Sequence, residues 1–373
     1  MSEALGYTVF TKVERQRETR NQTRPGAPGR SALLELDARA EAAWELRHTD
    51  AREALRLADG VFEDSSTQGY DRGVAYSSLA RAFACFHLSR LRKARENAER
   101  GRDILGRQGD KAGSIRALNT PGIIYGESGE LLLSLQALLS ADALCKEIGD
   151  TQGEADALNN IGNVYGYLGD YANALDHHQQ SLVVCREHSY LTAEFRALCN
   201  IGVACFELGQ YHESLAFLGR VLAFDFADDT YTPAFAQRYT GRSYHKLGRA
   251  DQASTYLRRS LKLAQGAGDP VGVSDVLNDL ALLDLEAGRV QDALSAVQQS
   301  LALKETSGDA RGESETLLLW AEVCRAQGDH EAALAALQKA LVITERVGNS
   351  LERYGAYGNF PRYTENGVLS ETR

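Results

Sequence analysis

Apolar residues recur at helical spacing along most of this chain, and residues 149–188 show the pattern most clearly. In residues 157–168 apolar side chains return every three or four positions, and Gly169 then interrupts the run. A second apolar stripe follows in residues 171–185. The pattern predicts two helices joined by a tight turn. A hairpin of this size cannot bury its apolar surface alone, so it needs similar neighbours.

The same hairpin pattern returns every 40 residues, with one interval of 39. The turn glycines are Gly129, Gly169, Gly209, Gly248, Gly288 and Gly328. The motif GD-x-x-G opens four hairpins, at Gly109, Gly149, Gly268 and Gly308. One column is small in every copy, with Ala54, Ala94, Ser134, Ala174, Ser214, Ala253, Ala293 and Ala333. Small side chains in a fixed column permit close helix packing, so the sequence predicts an all-α fold of about eight helix–turn–helix repeats.

Gly162, Tyr165, Gly169 and Ala174 stand where the tetratricopeptide repeat has its signature residues, and the chain resembles that family from about residue 29 to 347. The 40-residue period, with ALNNIGNVY and LGDYANAL, resembles the Pins-type polarity adaptors and, more loosely, kinesin light chains. It is also similar to bacterial tetratricopeptide signalling proteins. The resemblance implies a right-handed α-solenoid whose first helices line a concave groove.

Three segments are predicted. Residues 1–30 are polar with scattered arginines and are expected to form a disordered arm, or a basic arm for an acidic partner or a membrane surface. Residues 31–348 form the superhelix. After Gly348 the pattern fails, so residues 349–373 are interpreted as a short capping helix and an aromatic tail. That tail would pack on the last repeat, stay disordered, or lie in the groove.

Pro121 stands within a predicted first helix, in the column of Ile161. A proline inside a helix removes a backbone hydrogen bond and clashes with the preceding turn, at a cost of about 3 kcal/mol. The helix therefore begins late, near Thr120, or it is kinked there. A kink would widen the groove at this repeat.

Composition narrows the partners. The net charge of −10 argues against nucleic acid, because phosphate binding needs a cationic face. No apolar run reaches the length of a membrane span, and the first residues do not read as a secretory signal. The six cysteines match no zinc or disulfide spacing, and we interpret them as buried free thiols. These features predict a cytoplasmic protein that binds neither nucleic acid nor membrane.

Motifs for catalysis are missing from the sequence. It has no phosphate-binding loop, nucleophile elbow, metalloprotease helix or calcium loop, so no enzyme activity, cofactor or metal is expected. His177 and His178 are adjacent, but neighbouring helical residues point about 100° apart and cannot share one metal. Because His178 occupies a leucine column, we interpret it as a hydrogen-bonded interface residue.

The resemblance places a peptide-binding groove on the first helices. The residues predicted to line it are Asn119, Asn159, Asn163, Asn200, Arg238, Arg242 and Asn278. Asparagine amides both donate and accept, so a row of them suits the backbone of an extended peptide. Alternatively, these amides bond across adjacent hairpins and hold the superhelix together.

Charges along the predicted groove change sign. Arginines lie near its middle and acidic residues follow toward the C-terminal end, so a peptide with an acidic and then a basic segment would be complementary. Asn163 and Asn200 match the asparagines of the carboxylate clamp that binds chaperone tails. Asn159, Phe235 and Tyr239 occupy its cationic positions, so chaperone-tail binding is not expected.

These observations predict a non-enzymatic interaction scaffold that binds a protein or peptide ligand, extended or helical, in a concave groove. The alternative is a regulatory input module for a signalling or transcriptional output protein that acts in trans.

Overall fold

The computed structural model describes residues 29–47, 50–88, 90–224 and 231–351. Within these ranges the chain forms sixteen α-helices, paired as eight helical hairpins, and no β-strand. It divides into two compact units, one ending at Thr120 and the other beginning at Pro121. The predicted all-α, solenoid-like repeat fold is confirmed, while its right-handed course stays a prediction.

The unit that ends at Thr120 contains four whole helices and most of a fifth. They are α1 (Arg30–Glu45), α2 (Ala51–Thr67), α3 (Asp71–His87), α4 (Leu91–Gln108) and α5 (Lys111–Glu127), and α5 continues into the second unit. Leu79 and Leu105 are fully buried in the core of this first unit, where they pack with Ala75 and Ala117.

The second unit holds the remaining helices. They are α6 (Leu131–Ile148), α7 (Thr151–Tyr167), α8 (Tyr171–Glu187), α9 (Leu191–Glu207), α10 (Tyr211–Leu222), α11 (Tyr231–Lys246), α12 (Ala250–Ala267), α13 (Pro270–Glu286), α14 (Val290–Ser307), α15 (Ala310–Gln327) and α16 (His330–Leu351). From α8 to α14, each second helix packs against the first helices on either side of it. The first helices α7, α9, α11, α13 and α15 also contact one another in order, and we name them the first-helix row.

The GD-x-x-G motif ends one helix and begins the next. Gly149 takes a left-handed conformation with φ of 73°, which stops α6, and Asp150 then accepts a hydrogen bond from the backbone N–H of Gly153 at 2.9 Å. Glycine adopts positive φ without a Cβ penalty, and aspartate is a favoured helix N-cap. Asp269 and Asp309 cap α13 and α15 in the same way.

Glycine and small columns allow the two helices of a hairpin to approach closely. A Cβ on Gly202 would lie 2.7 Å from the Leu218 side chain, and the same clash would arise at Gly241 against Leu257. Ser214, in the predicted small column, is fully buried. The prediction of close packing along that column is confirmed, since all eight of its members are buried.

The structure differs from two predictions made from the sequence, which concern Pro121 and the C-terminal end of the repeats. Helix α5 begins at Lys111 and runs through Pro121, so the late start near Thr120 is wrong. Helix α16 continues through Gly348 to Leu351, where the sequence predicted an end and a new capping helix. A glycine inside a helix costs only about 1 kcal/mol relative to alanine, which helical neighbours can offset.

Residues 1–28 of the predicted arm and residues 352–373 of the predicted tail lie outside the described residues. Among the helices that the structure describes, none combines the length and the apolar character required to cross a membrane.

Candidate functional site

The seven predicted groove residues all lie on first helices of their hairpins. Asn159 and Asn163 are on α7, Asn200 on α9, Arg238 and Arg242 on α11, Asn278 on α13, and Asn119 on α5 in the first unit. Apart from Asn119, they therefore lie on the first-helix row.

Three of the asparagines form one hydrogen-bonded cluster. The Asn200 amide on α9 donates to Oδ1 of Asn159 at 3.0 Å and to Oδ1 of Asn163 at 3.1 Å, both on α7. Nδ1 of His178 lies 3.2 Å from the same Asn159 oxygen. Asn159 is only 7% exposed. The cluster thus links two hairpins, as the alternative interpretation of these amides expected.

The interpretation of His178 as an interface residue is confirmed. Its ring is buried in α8 against Gly162, and a leucine fills this position in α6, α10 and α12. Burial, the larger cause, and the neighbouring His177, the smaller one, lower the pKa of His178 to about 3. The ring is therefore neutral at neutral pH, and its N–H donates to Asn159.

Asn278 forms a hydrogen bond to a neighbouring hairpin, and the side-chain oxygens of Asn278 and Asn119 are both buried. The Asn278 amide on α13 donates to Oγ1 of Thr316 on α15 at 2.8 Å. The side-chain oxygens of Asn278 and Asn119 are buried, and neither has a hydrogen-bond partner in the described part of the chain. Asn278 therefore joins two hairpins through its donor, while its acceptor stays unused.

Arg238 is held between two carboxylates of the next hairpin. Its guanidinium bonds to Asp275 and Asp279 on α13, each at 2.6 Å. Burial would disfavour its charge, but Asp279 and Asp275 outweigh that and raise the pKa of Arg238 above its ordinary value. The arginine and acidic groups that looked separate in the sequence therefore neutralise each other here.

Arg242, one helical turn later, is held mainly by aromatic rings. Its guanidinium carbon lies 4.4 Å from the Phe206 ring centroid and 4.8 Å from that of Tyr239. Its nearest carboxylates, Glu207 and Asp279, are 3.9 and 3.7 Å away, beyond hydrogen-bond distance. Among the described residues Arg242 forms no hydrogen bond, so its donors remain available to a ligand.

Lys304 on α14 is a buried charge that the sequence analysis missed. Its side chain is 2% exposed, and Nζ bonds to Asp275 at 2.5 Å and to Asp309 at 2.7 Å. Burial opposes the charge, yet the two carboxylates raise the pKa of Lys304 above its ordinary value. The signal is visible in its column, which also contains Leu105, Cys145, Cys185 and Ala264, because Lys304 is the charged residue among these uncharged ones.

The first unit has its own arginine–aromatic cluster. Arg116 on α5 forms a two-pronged ion pair with Glu41 on α1, at 2.9 and 3.0 Å. Its guanidinium carbon also lies 4.4 Å from the Trp44 ring centroid and 5.4 Å from that of Tyr76. The ion pair and the rings fix the arginine, which therefore ties α1 to α5.

Reactive or metal-binding chemistry is not assembled in the described residues. All six cysteines are buried, and none of them forms a disulfide, as predicted. Burial is the main cause that raises the pKa of the Cys145 thiol to about 12 and that of Cys205 to about 11. Thiols of this kind stay protonated and unreactive at neutral pH. No group of His, Cys, Asp or Glu in these ranges is arranged to hold a metal ion.

The fold is similar to several solved structures. The Rap conjugation gene regulator of plasmid pLS20, in complex with the Phr* peptide, is 14% identical with a TM-score of 0.63, covering 87% of this chain and 99% of that one. NprR in complex with its cognate peptide NprX is 17% identical with a TM-score of 0.60, covering 87% and 95%. Aspartyl phosphate phosphatase F from Bacillus subtilis is 16% identical with a TM-score of 0.60, covering 99% and 92%. At these identities the likeness concerns the fold alone.

Among curated proteins, no sequence matches this chain significantly. Residues 153–225 and 234–306 match the family model of the tetratricopeptide repeat. They span most of the hairpins that carry the first-helix row. Over these two segments the chain therefore carries tetratricopeptide repeats.

Proposed function

We propose that this chain is a non-enzymatic interaction scaffold that binds a partner peptide or helix along its first-helix row. Arg242 carries the proposal. It lies on α11, in the middle of the row, its plane is fixed by Phe206 and Tyr239, and its hydrogen-bond donors are unused within the described residues. A guanidinium already held in place loses little freedom when it binds a peptide carbonyl or carboxylate.

The predicted groove residues take two roles in this proposal. Arg242 and Asn163 contact the ligand, because each has hydrogen-bond donors that bind no other described residue. The Asn163 side chain accepts a hydrogen bond from Asn200, but its own amide group donates none. Asn159, Asn200, Arg238 and Asn278 hold consecutive hairpins in the register that the ligand requires. Asn119 belongs to the first unit and remains a separate proposed contact.

The comparisons support a peptide as the ligand. Two of the structures with this fold are complexes with peptides, named Phr* and NprX. We further propose that this chain binds neither nucleic acid nor membrane, on the basis of its net charge of −10. The presence of six buried cysteines that form no disulfide favours the reducing environment of the cytoplasm as its location.

Peptide selection followed by affinity measurement tests the proposal. Peptides selected from a random library on the full chain are labelled, and Kd is measured by fluorescence anisotropy for the wild type and Arg242→Gln. The variant is expected to bind about tenfold more weakly, the usual effect of removing a hydrogen bond to a charged group. Arg258→Gln is the matched control, because Arg258 is an exposed arginine on the second helix α12. An equal loss of affinity in both variants, or no loss in either, would count against the first-helix row as the ligand-binding surface.

A regulatory role in trans is the second candidate. It is favoured by the description of one structural neighbour as a conjugation gene regulator. Affinity purification from the native host, with and without the selected peptide, tests it. A signalling or transcription protein whose recovery changes at least severalfold with the peptide supports the regulatory role. Recovery that is unaffected by the peptide leaves a simple adaptor.

A further inference from the structure

A cavity of about 170 Å³ lies between α11, α12 and α13. We name it the Ala264 recess. Its lining includes the apolar side chains Ala234, Phe235, Ala264 and Val276, together with Asp269. A cavity of about 150 Å³ is large enough to admit benzene, so this recess has room for an alkyl chain.

In the next repeat a lysine side chain fills the equivalent space. Ala264 and Lys304 occupy equivalent positions 40 residues apart, near the ends of α12 and α14. In the later repeat the Lys304 side chain is buried and packs against Gly312 of the following helix. Where Ala264 replaces the lysine, the corresponding space beside Gly272 stays open. Lys304 thus fills this space in one repeat, Leu105 and Cys145 fill it beside Gly113 and Gly153 in two others, and Ala264 leaves it open.

The carboxylate that receives the Lys304 ammonium is repeated in the recess. Asp309 caps α15 with Oδ1 and binds Nζ of Lys304 with Oδ2. Asp269 caps α13 with Oδ1 in the same way, at 3.0 Å from the Gly272 nitrogen. In both repeats Oδ2 lies beside the position that a Cβ on the capped glycine would take. Among the described residues, Oδ2 of Asp269 has no hydrogen-bond or ion-pair partner.

The second ligand of the ammonium differs between the two copies. Lys304 also binds Asp275, and the equivalent residue in the recess is Phe235. An aromatic ring attracts a cation through its face. Phe235 therefore offers a cation–π contact at the position where the later repeat has the carboxylate of Asp275. Tyr231 also lines the recess. The unpaired Asp269 and the aromatic walls form a site for an ammonium group, and Asp275, which also lines the recess, is paired with Arg238.

The charges around the recess favour a cation. The unpaired Asp269 and the neighbouring ion-pair network together hold five carboxylates and three cations, which leaves an excess of two negative charges. The carboxylates are Asp269, Asp275, Asp279, Asp309 and Glu207, and the cations are Arg238, Arg242 and Lys304. An incoming ammonium reduces the excess, whereas an anion would increase it.

We propose that the Ala264 recess binds a primary ammonium group on an unbranched alkyl chain, and that a lysine side chain of the partner peptide supplies it. The second clause rests on the proposed function, because Phe235 and Arg238 place the recess along the first-helix row. The alkyl stem packs between Ala264 and Val276, and the ammonium donates to Asp269. The ligand lysine thus takes the place that Lys304 takes one repeat later.

Pentylamine titrated into the full chain by isothermal calorimetry is the direct probe. The wild type is expected to bind it, whereas 1-pentanol, which keeps the chain and lacks the charge, is expected to bind at least about tenfold more weakly. Ala264→Lys fills the recess with the side chain already accepted in the next repeat. Asp269→Asn removes the charge and keeps a good N-cap. Both variants are expected to weaken pentylamine binding by about tenfold or more.

Asp150→Asn is the matched control. Asp150 caps α7 in the same way, but Sγ of Cys145, in the column of Ala264, lies 2.8 Å from the position that a Cβ on Gly153 would take and so fills the equivalent space. It is expected to leave pentylamine binding within about twofold of the wild type. Binding that survives Ala264→Lys and Asp269→Asn, or no binding by the wild type, would overturn the recess as an amine site.

The peptide arm separates this inference from the proposed function. Each lysine of a selected peptide is replaced by norleucine, and Kd is measured with the wild type and with Ala264→Lys. A loss of at least about tenfold in affinity for the wild type, without such a loss for Ala264→Lys, supports a lysine as the occupant. Peptides that bind without any lysine dependence overturn the lysine assignment and leave the proposed function standing. If the wild type binds pentylamine but the library yields no binding peptide, the amine site stands and the proposed function is wrong.

Discussion

Asn200 donates a hydrogen bond to Asn159 at 3.0 Å, across two consecutive hairpins. The oxygen that accepts it also lies within hydrogen-bond distance of the buried His178 ring. Asn159 is therefore committed inside the protein, although its column lies on the helix face predicted to meet a ligand. Asn159 thus connects the hairpin register to Asn163, the proposed ligand contact, because its partner Asn200 also bonds to Asn163.

The Asn159→Ala variant should lose stability. It leaves the buried His178 donor without its acceptor and removes one of the two acceptors of Asn200, and a buried unsatisfied donor costs about 1–3 kcal/mol. Urea unfolding followed by circular dichroism measures the loss. Asn160→Ala is the control, since Asn160 lies on the same helix and forms no hydrogen bond in the described residues. Equal losses in the two variants would show that the cluster contributes nothing.

Gly202→Ala should be destabilising for steric reasons. The new Cβ would lie 2.7 Å from two atoms of Leu218, and overpacking of this kind costs about 1–3 kcal/mol. Gly219→Ala lies on the neighbouring helix α10 with no atom within 4 Å of the new Cβ, so it should stabilise by up to about 1 kcal/mol. Thermal unfolding of both variants measures this. The prediction fails if the two melting temperatures shift in the same direction.

Local chemistry made the hairpins predictable. A glycine followed by aspartate ends one helix and caps the next, and Gly149 with Asp150 does both within two residues. The small column that includes Ser214 likewise follows from repeated spacing. These features depend on residues near in sequence, so the period alone shows them.

The functional surface was less predictable because its contacts cross between repeats. Arg238 and Asp275 are 37 residues apart, and no spacing rule says whether such an arginine meets a carboxylate of its own chain or of a ligand. Asn159 presents the same ambiguity, since an amide pairs equally well with either. The Ala264 recess depends on a missing side chain, which becomes visible only when neighbouring helices enclose the space.

Acid should destabilise the protein through His178. Its pKa in the folded state is about 3, below the value of about 6.5 expected for an unfolded chain. The unfolded state therefore binds more protons below pH 6.5, and the free energy of unfolding falls as pH decreases from there toward 3. At pH 5 the loss is about 2 kcal/mol. Urea unfolding at pH 7 and pH 5 measures it.

His178→Leu is the control for the acid effect, because leucine fills the same position in α6, α10 and α12. The variant should lose about 2 kcal/mol less than the wild type between pH 7 and pH 5. An identical pH dependence in both proteins would mean that His178 does not carry the effect.

Lys304→Ala should both destabilise the second unit and open a second amine site. Its removal leaves Asp275 and Asp309 without their shared cation, and breaking a buried ion pair costs about 3 kcal/mol. The space left beside Gly312 then matches the Ala264 recess, with Asp309 in the role of Asp269. Pentylamine should therefore raise the melting temperature of Lys304→Ala more than that of the wild type, since a ligand stabilises the state that binds it.

Lys304→Met separates this rescue from general effects of the amine. Methionine keeps an unbranched side chain in the space and removes only the charge, so the variant should be destabilised without gaining from pentylamine beyond the wild type. 1-Pentanol should rescue neither variant, because it cannot supply the cation that Asp275 and Asp309 require. If Lys304→Ala responds to pentylamine no more than Lys304→Met does, the equivalence between the buried lysine and a bound amine is wrong, and the Ala264 recess loses its structural counterpart.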